Sequence, residues 1–289
     1  MLAEAECYLC HLSQVLRVLA IQNVDSSEAL RLTRESCHFL AEINFGRTPP
    51  EISADLYKWL AAKTGTDDPY FETKRQDIRR ALALYSRLKN KVLEAPDRLR
   101  KALLFSLAGN IIDFGAGEVG EWPAEEDFLE TEELAIDHYE LISSDLKKAT
   151  RIVFLGDNAG ETVFDRLFIE QIGRQVIYAV REGPIINDAT IEEARLSGLE
   201  EVAKVVSTGC QAPGTVLDQC SPEFIAILNQ ADLIISKGQG NYECLEQLTG
   251  PFYFLLKAKC EVIARHLNVK QGSLVLARSK NFAPVLNLS

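Results

Sequence analysis

The stretch RIVFLGDNAGE, residues 151–161, joins a short apolar run to a turn rich in glycine and oxygen-bearing side chains. The run IVFL is apolar throughout, without the alternation expected of a strand that has one face in water. This pattern is typical of a strand buried on both faces of a parallel sheet. The turn after it carries Asp157, Asn158 and Glu161. Ligands of such sheets bind at the carboxyl ends of the strands, so these residues are candidates for a functional site.

The same rhythm recurs towards the C-terminus. Four further β-branched or aromatic runs alternate with segments of helical length: QVIYAVR, EVAKVVST, ADLIISKG and SLVLARS. Five strands separated by helices predict a three-layer α/β/α, Rossmann-like domain with a mostly parallel sheet. The run FYFLLK, which ends at Lys257, is either a further strand or the start of a buried helix.

The N-terminal part has a different period. Up to about residue 110 the apolar residues recur at helical spacing, which predicts about five helices. We therefore expect a helical domain over residues 1–110, packed on an α/β domain over residues 111–289. Residues 114–130 are glycine-rich and acidic and predict a connection, and TEELAIDHYELISSDLKKA after it predicts another helix.

The composition of the chain argues against some classes of function. The chain has 289 residues, 47% of them hydrophobic, and a net charge of −11 from 31 basic and 42 acidic residues. This charge argues against a general nucleic-acid binder, which needs a basic surface. No stretch approaches the roughly 18 to 20 apolar residues of a membrane span, and the start lacks the layout of a signal peptide, so we expect a cytoplasmic protein without a membrane partner. Oligomeric state stays open.

A second carboxylate is expected beside Asp157. The run QVIYAVR leads into REGPIINDAT, which contains Asp188 and ends beyond the second strand, at the same edge of the sheet. Two acids that converge repel unless a cation or a proton lies between them, and Mg²⁺ and Mn²⁺ prefer such oxygens. Asp157, Asn158 and Asp188 are therefore predicted metal ligands. The structural alternatives are a local turn at Asp157 and Asn158, and a helix cap supplied by Asn187 or Asp188.

The fourth run leads into SKGQGNYE, residues 236–243, a glycine-rich turn that contains Lys237. Amide groups freed by glycines, a helix N-terminus and an ammonium together form an anion site, although the Walker spacing is absent. A plain tight turn is the alternative. Arg181 is predicted either to neutralise substrate charge or to pair with Glu182, and Lys257 either to meet an anion or to reach solvent.

Cys7 and Cys10, in CYLCHL, lie on one face of a helix at a spacing of three residues. That spacing allows metal binding or redox chemistry, but a single CxxC is weak evidence for zinc, and two buried thiols are the alternative.

The segments GDNAGE, RxGPxxNDAT, KGQGNYE and LLKAKC, in this order along the chain, resemble the damage-control phosphatase family, also known as domain of unknown function 89. The N-terminal CxxC is similar to that of the short prokaryotic branch. The resemblance implies a helical domain beside a three-layer α/β domain. It also implies a metal-dependent phosphatase that hydrolyses small phosphorylated metabolites with Mg²⁺, Mn²⁺, Co²⁺ or Ni²⁺.

The resemblance also assigns roles. Asp157, Asn158 and Asp188 are the implied metal ligands, and the attacking group is either a metal-bound water or an Asp carboxylate. Asp157, Asp188 and Lys237 are the implied catalytic residues. The predicted substrate contacts are Glu161, Arg181, Gly238, Gln239, Gly240, Asn241 and Lys257, with the lysines on the phosphate.

Two rival functions stay open at this stage. A glycine-containing loop after the first strand of an α/β sheet also suits an S-adenosylmethionine-dependent methyltransferase, and a non-enzymatic metabolite-binding protein is the second rival. Substrate choice is expected to depend on helical-domain side chains above the crevice, with Phe45, Arg47 and Asn110 as candidates.

Overall fold

A computed structural model of the chain describes residues 1–44, 46–109 and 133–286. Its described N-terminal part is helical, as predicted. The helices are α1 (Ala5–Ile21), α2 (Ser26–Ala41), α3 (Pro49–Thr64), α4 (Phe71–Glu94) and α5 (Arg98–Gly109). The predicted connection over residues 114–130 lies outside the described residues.

Local sequence explains where these helices begin and end. Asp25 accepts hydrogen bonds from the backbone of Ser27 and Glu28 at the start of α2, and Thr48 forms a capping box with Glu51 at the start of α3. Gly65 ends α3 with a left-handed φ of 71°, which a glycine adopts without steric cost.

The C-terminal part alternates strands with helices. The strands are β1 (Ile136–Asp137), β2 (Ile152–Leu155), β3 (Val176–Val180), β4 (Lys204–Ser207), β5 (Leu233–Lys237), β6 (Phe252–Lys257) and β7 (Leu274–Arg278). The helices between them are α6 (Tyr139–Leu146), α7 (Thr162–Ile172), α8 (Ile191–Leu196), α9 (Pro222–Asn229), α10 (Gln239–Leu245) and α11 (Glu261–Leu267).

FYFLLK, for which the sequence allowed either a strand or a helix, forms strand β6. The single helix predicted for TEELAIDHYELISSDLKKA is wrong, because its described residues form the short strand β1 and then α6. β1 is an edge strand that pairs only with β7 among the described strands, so its two residues carry little sequence signal.

The sheet has the order β1-β7-β6-β5-β2-β3-β4 and is parallel except where β6 meets β7. Its two faces are both buried, which confirms the predicted three-layer fold. Phe154 and Tyr178 face α4, α5, α6 and α7, whereas Val153 and Ile234 face α9, α10 and α11. Chain order runs from β2 to β3 and β4 on one side, while β5 lies on the other side of β2. The loops after β2 and β5 therefore flank the switch point where such sheets bind ligands.

The N-terminal helices belong to two cores. α1, α2 and α3 share an apolar cluster that includes Val15, Leu56 and Tyr70, whereas α4 and α5 pack in the core on one face of the sheet. The predicted domain boundary at residue 110 lies outside the described residues and stays a prediction. No helix in the described ranges combines the length and hydropathy needed to span a bilayer. The cytoplasmic location likewise stays a prediction.

A buried ion-pair cluster joins the helical part to the α/β part. The ammonium of Lys74, in α4, lies 2.8 Å from Asp68 and 2.9 Å from Glu193 of α8, and Lys74 is only 1% exposed. Removing one member of a buried pair leaves the other charge uncompensated.

We expect Lys74→Met to lower the free energy of unfolding by about 3–5 kcal/mol, because Glu193 would remain buried without its cation. Lys148→Met, which removes the exposed partner of Asp145, should cost less than about 1 kcal/mol. Urea unfolding of both variants measures the difference. Equal losses would contradict the role given to Lys74.

Candidate active site

The loops that follow β2 and β3 pair with each other. Asn158 and Asp188 form an isolated antiparallel bridge. The amide of Ala189 donates to the carbonyl of Asp157, and the amide of Ala159 donates to the carbonyl of Asn187, both at 2.8 Å. This backbone pairing brings the predicted ligands Asp157, Asn158 and Asp188 together at the carboxyl edge of the sheet.

Helix capping does not explain Asp188. Helix α8 begins at Ile191, and its N-cap is Thr190, whose hydroxyl accepts from the amide of Glu192 while Glu193 accepts from the amide of Thr190. The cap predicted at Asn187 or Asp188 is therefore wrong. Ile186, just before these residues, has a φ of 46°, a strained conformation for a β-branched side chain that costs of order 1–3 kcal/mol.

The side chain of Asn158 has a fixed orientation. Its amide nitrogen donates to Glu161 Oε1 at 2.7 Å and lies 3.4 Å from Asp157 Oδ2. Its Oδ1 accepts no hydrogen bond from any described residue, and Asn158 lines a cavity. The local-turn alternative places this side chain on backbone, which is not observed. The amide oxygen is thus available to a metal ion in the cavity.

Negative charge is concentrated on the floor of this cavity. Asp157, Asn158 and Asp188 are each at most 7% exposed. Burial, together with the nearby carboxylates of Asp188 and Glu161, raises the pKa of Asp157 well above its usual range. A cation between the two aspartates would offset this repulsion. A buried arginine already offsets part of this repulsion between the carboxylates.

Arg181 is that arginine, and it lies behind the acids rather than in the cavity. Its Nε donates to Asp188 Oδ2 at 2.7 Å, and its terminal nitrogens donate to Thr215 and Asn241. Asn241 also donates to the carbonyls of Gly156 and Lys237. Arg181 pairs with Asp188 and not with Glu182, and its predicted role towards substrate charge stays a prediction. Asn241, also predicted to contact substrate, ties the loops together.

The ammonium of Lys237 is held by internal partners. It lies 2.8 Å from Glu161 Oε2 and 2.7 Å from Asp165 Oδ1, and it donates to the carbonyl of Ser106 at 2.8 Å. A lysine has three N–H donors, so all are engaged internally. Although burial lowers the pKa of Lys237, Asp165 and Glu161 outweigh that effect and raise it. Lys237 and Glu161 therefore position Asn158 from below, and the phosphate contact predicted for Lys237 stays a prediction that this arrangement does not favour.

Gly238 allows the two loops to approach each other. Its φ is 80°, and a Cβ built at this position would lie 2.0 Å from Asp157 Oδ2. Any larger residue would displace the carboxylate. Gly238 thus shapes the site without lining the cavity, whereas the next two residues, Gln239 and Gly240, do line it.

The cavity has a volume of about 330 Å³. Its floor consists of residues that follow β2, β3, β5 and β6, and its roof consists of α1 and the start of α3. Roof residues include Cys7, Cys10, Gln14, Arg17 and Ser53. The helical part thus covers the carboxyl edge of the sheet.

Lys259, rather than Lys257, is the lysine of LLKAKC that lines the cavity. Lys257 is the last residue of β6, half-buried, and pairs in register with Leu274. Lys259 lies beyond the strand end, where its charge lowers the pKa of Asp157 and of Glu161 against larger opposing effects. Glu243 lines the same cavity, and burial raises its pKa to about 7.

A sequence signal existed for Glu243. Gln239 and Glu243 are four apart on α10, so they share a helix face, and Gln239 donates to Glu243 at 2.9 Å. Lys259 could not be located from the sequence, because FYFLLK was compatible with a strand or a helix and the end of β6 was therefore unknown. No local pattern identified Asp165, whose role depends on packing between α7 and β5.

The cysteines of the CxxC face the cavity as free thiols, as all seven cysteines of the chain are free. Cys10 is exposed and Cys7 is half-buried, so the alternative of two buried thiols is wrong. Burial raises the pKa of Cys7 to about 11, which keeps it a thiol at neutral pH.

Of the three residues suggested for substrate choice, Arg47 belongs to the described part of the chain, and it does not line the cavity. Arg47 pairs with Asp55 at 2.6 Å on the helical part, away from the floor residues. Phe45 and Asn110 lie outside the described residues.

The donor set is suited to a hard divalent ion. In the described part of the chain, no three His, Cys, Asp or Glu side chains converge closely enough to hold a metal by themselves. Two carboxylates and one amide oxygen nevertheless match the partial oxygen set that Mg²⁺ uses, with water and substrate oxygens completing the shell.

The fold and the cavity define a class of α/β proteins with a polar cavity where the strand ends meet a helical roof. The family follows from comparison with known proteins. Residues 3–275 match the model of the damage-control phosphatase ARMT1-like domain. The chain belongs to this family. This confirms the resemblance and the phosphatase class of hydrolase, and it does not favour the methyltransferase or the non-enzymatic alternative.

Relatives cover almost the whole chain. It is 36% identical to a damage-control phosphatase of Pyrococcus horikoshii, over 97% of this chain and 99% of that protein. It is 33% identical to a damage-control phosphatase of Archaeoglobus fulgidus, over 93% and 96%. A crystal structure of a protein of the domain-of-unknown-function-89 family from P. horikoshii superposes with a TM-score of 0.89, at 34% identity, over 97% of this chain and 100% of that one.

We expect Gly238→Ala to destabilise the protein by at least about 2 kcal/mol more than Gly65→Ala, measured by urea unfolding. Both changes put a Cβ on left-handed backbone, but only the one at Gly238 would meet Asp157, since nothing lies within 4 Å of a Cβ at Gly65. Equal losses would mean that the close approach to Asp157 is unimportant.

Proposed function

We propose that this protein is a divalent-metal-dependent phosphomonoesterase that hydrolyses compact phosphorylated metabolites. The observation that carries the proposal is the convergence of Asp157, Asp188 and the unengaged Oδ1 of Asn158 on the floor of the cavity that Lys259 lines. Oxygen ligands beside a cationic side chain suit a metal ion together with a phosphoryl group.

Asp157, Asn158 and Asp188 would hold the ion, and Mg²⁺, Mn²⁺, Co²⁺ or Ni²⁺ is the proposed metal. When bound, such an ion polarises a phosphoryl oxygen and offsets charge in the transition state. Its ligands are held in place from behind. Arg181 fixes Asp188, and the pair of Glu161 and Lys237 fixes Asn158, so little reorganisation accompanies the reaction.

In this proposal Lys259 binds the phosphate, the role that the sequence analysis gave to Lys237 and Lys257. A lysine is a compact charge with three donors and is well suited to phosphoryl oxygens. Gln239 accepts a hydrogen bond from the backbone amide of Lys259 at 3.1 Å. This contact links the loop after β5 to the turn after β6 and keeps Lys259 at the site.

The size of the cavity supports a compact substrate. A volume of about 330 Å³ is at the lower end of the range for ligand pockets. Together with the names of the relatives, this favours small phosphorylated metabolites over nucleic acids or proteins.

We expect Asp157→Asn to reduce metal-dependent phosphate release by about 100-fold or more, because the loss of one carboxylate weakens the ion's hold and its charge compensation. Calorimetric titration with Mn²⁺ should show weaker binding in the same variant. Asp55→Asn, on the surface of the helical part, is the matched control. Wild-type turnover and Mn²⁺ affinity in Asp157→Asn would overturn the site.

A second pair of variants separates the two lysines of LLKAKC. Lys259→Met should lower kcat/KM by about tenfold or more, since a charge-assisted hydrogen bond to the phosphoryl group is lost. Lys257→Met should change it less than twofold, because Lys257 lies outside the cavity lining. The opposite ranking, measured with any turned-over phosphate ester, would return the role to Lys257.

A further inference from the structure

The roof of the cavity carries a cation, Arg17, that has no partner among the residues the structure describes. Helix α1 runs along the cavity from Glu6 to Arg17, a distance of about 16 Å at the rise of an α-helix. At one end Glu6 pairs with Arg265 at 2.9 Å. At the other end Arg17 is half-buried and forms no hydrogen bond or salt bridge with any described residue.

The fully buried cations of the described residues are paired: Lys74, Arg181 and Lys237 each contact at least one carboxylate within 3 Å. Arg17 has no such partner among the described residues. A guanidinium that is partly removed from water and lacks an acidic partner is well placed to bind an anion, which it can contact through two parallel N–H groups.

Arg17 and Lys259 line the cavity from different parts of the fold. Arg17 belongs to α1, in the roof, whereas Lys259 lies beyond the end of β6, in the floor. The two cations of the cavity wall therefore face the cavity from opposite parts of its lining.

The charged side chains of the cavity wall favour different binding partners for Lys259 and Arg17. The acidic side chains of the wall are Glu6, Asp157, Asp188 and Glu243, and its basic side chains are His11, Arg17 and Lys259. Burial lowers the pKa of His11 to about 4, so that at neutral pH only Arg17 and Lys259 are cations. Glu6 is paired with Arg265, and a bound divalent ion would occupy Asp157 and Asp188. Lys259 then serves the reacting phosphoryl group, and Arg17 is left for another anionic group.

We propose that the cavity selects phosphate monoesters that carry a second anionic group, a carboxylate or a second phosphate, and that Arg17 binds this group. The inference rests on the proposed phosphatase function and specifies its substrate class. The small volume of the cavity restricts the class to compact molecules, such as short phosphorylated acids and sugar bisphosphates. Arg17 is thus a specificity-determining residue supplied by the helical part.

The test compares matched substrates on the full-length protein with Mn²⁺. 3-Phosphoglycerate and glycerol 3-phosphate differ by a carboxylate, and glucose 1,6-bisphosphate and glucose 6-phosphate differ by a phosphate. The measured quantity is the ratio of kcat/KM within each pair. In Arg17→Gln we expect this ratio to fall about tenfold or more, chiefly through KM, for the pair whose second anion Arg17 binds. Arg17→Lys should retain part of it.

Arg34→Gln, at an exposed arginine of α2 outside the cavity lining, is the matched control and should leave both ratios unchanged. The pair that responds identifies the second anion as a carboxylate or a phosphate. Ratios that stay within twofold of wild type in Arg17→Gln would overturn the inference. An equal loss for both members of a pair would also overturn it, since Arg17 would then serve the common phosphoryl group.

A readout without turnover keeps this inference separate from the phosphatase proposal. Each compound is tested for its ability to raise the Tm of the wild type and of Arg17→Gln. A larger Tm increase with the doubly anionic member, lost in Arg17→Gln, supports the second subsite even if no compound is hydrolysed. In that case the proposed reaction fails and the inferred binding site remains. No difference between the members of either pair contradicts the site.

Discussion

The approach of two buried carboxylates, Asp157 and Asp188, is the constraint around which the rest of the site is arranged. They meet because the loops after β2 and β3 pair through backbone hydrogen bonds. Burial and mutual repulsion make this arrangement costly without a cation. Arg181 supplies one positive charge from behind, and Gly238 supplies the space that Asp157 requires. The proposed metal ion would supply the remaining compensation, so folding and ligand binding depend on the same pair of acids.

The helical part and the α/β part contribute differently. The loops of the sheet hold the acids, the amide and Lys259 at one edge, and this part of the site is fixed by buried hydrogen bonds. α1 and α3 cover that edge from a separate apolar core. In the proposed enzyme, the strand ends would carry the chemistry and the helical roof the choice of substrate. Cys7 and Cys10 belong to that roof and line the cavity as free thiols.

Sequence patterns predicted the layers of the fold and the loops that meet at the candidate site, because buried strands and their glycine-rich ends leave local signals. Roles that depend on the direction of a side chain were harder to predict. Lys237 ends strand β5 on the same face as Leu233 and Ile235, which pack towards α5 and α7, so the alternation of β5 turns its ammonium away from the cavity. No sequence pattern identified Arg17, because its importance depends on the position of α1 over the cavity.

The central claim, that hard oxygen ligands rather than thiols hold the metal, is tested most directly by a crystal structure with Mn²⁺ and anomalous diffraction at the manganese edge. The account predicts one strong peak in contact with Asp157, Asn158 and Asp188, with water completing its shell. A site that stays empty in crystals of Mn²⁺-activated protein, or a peak bound only by Cys7 and Cys10, would contradict it.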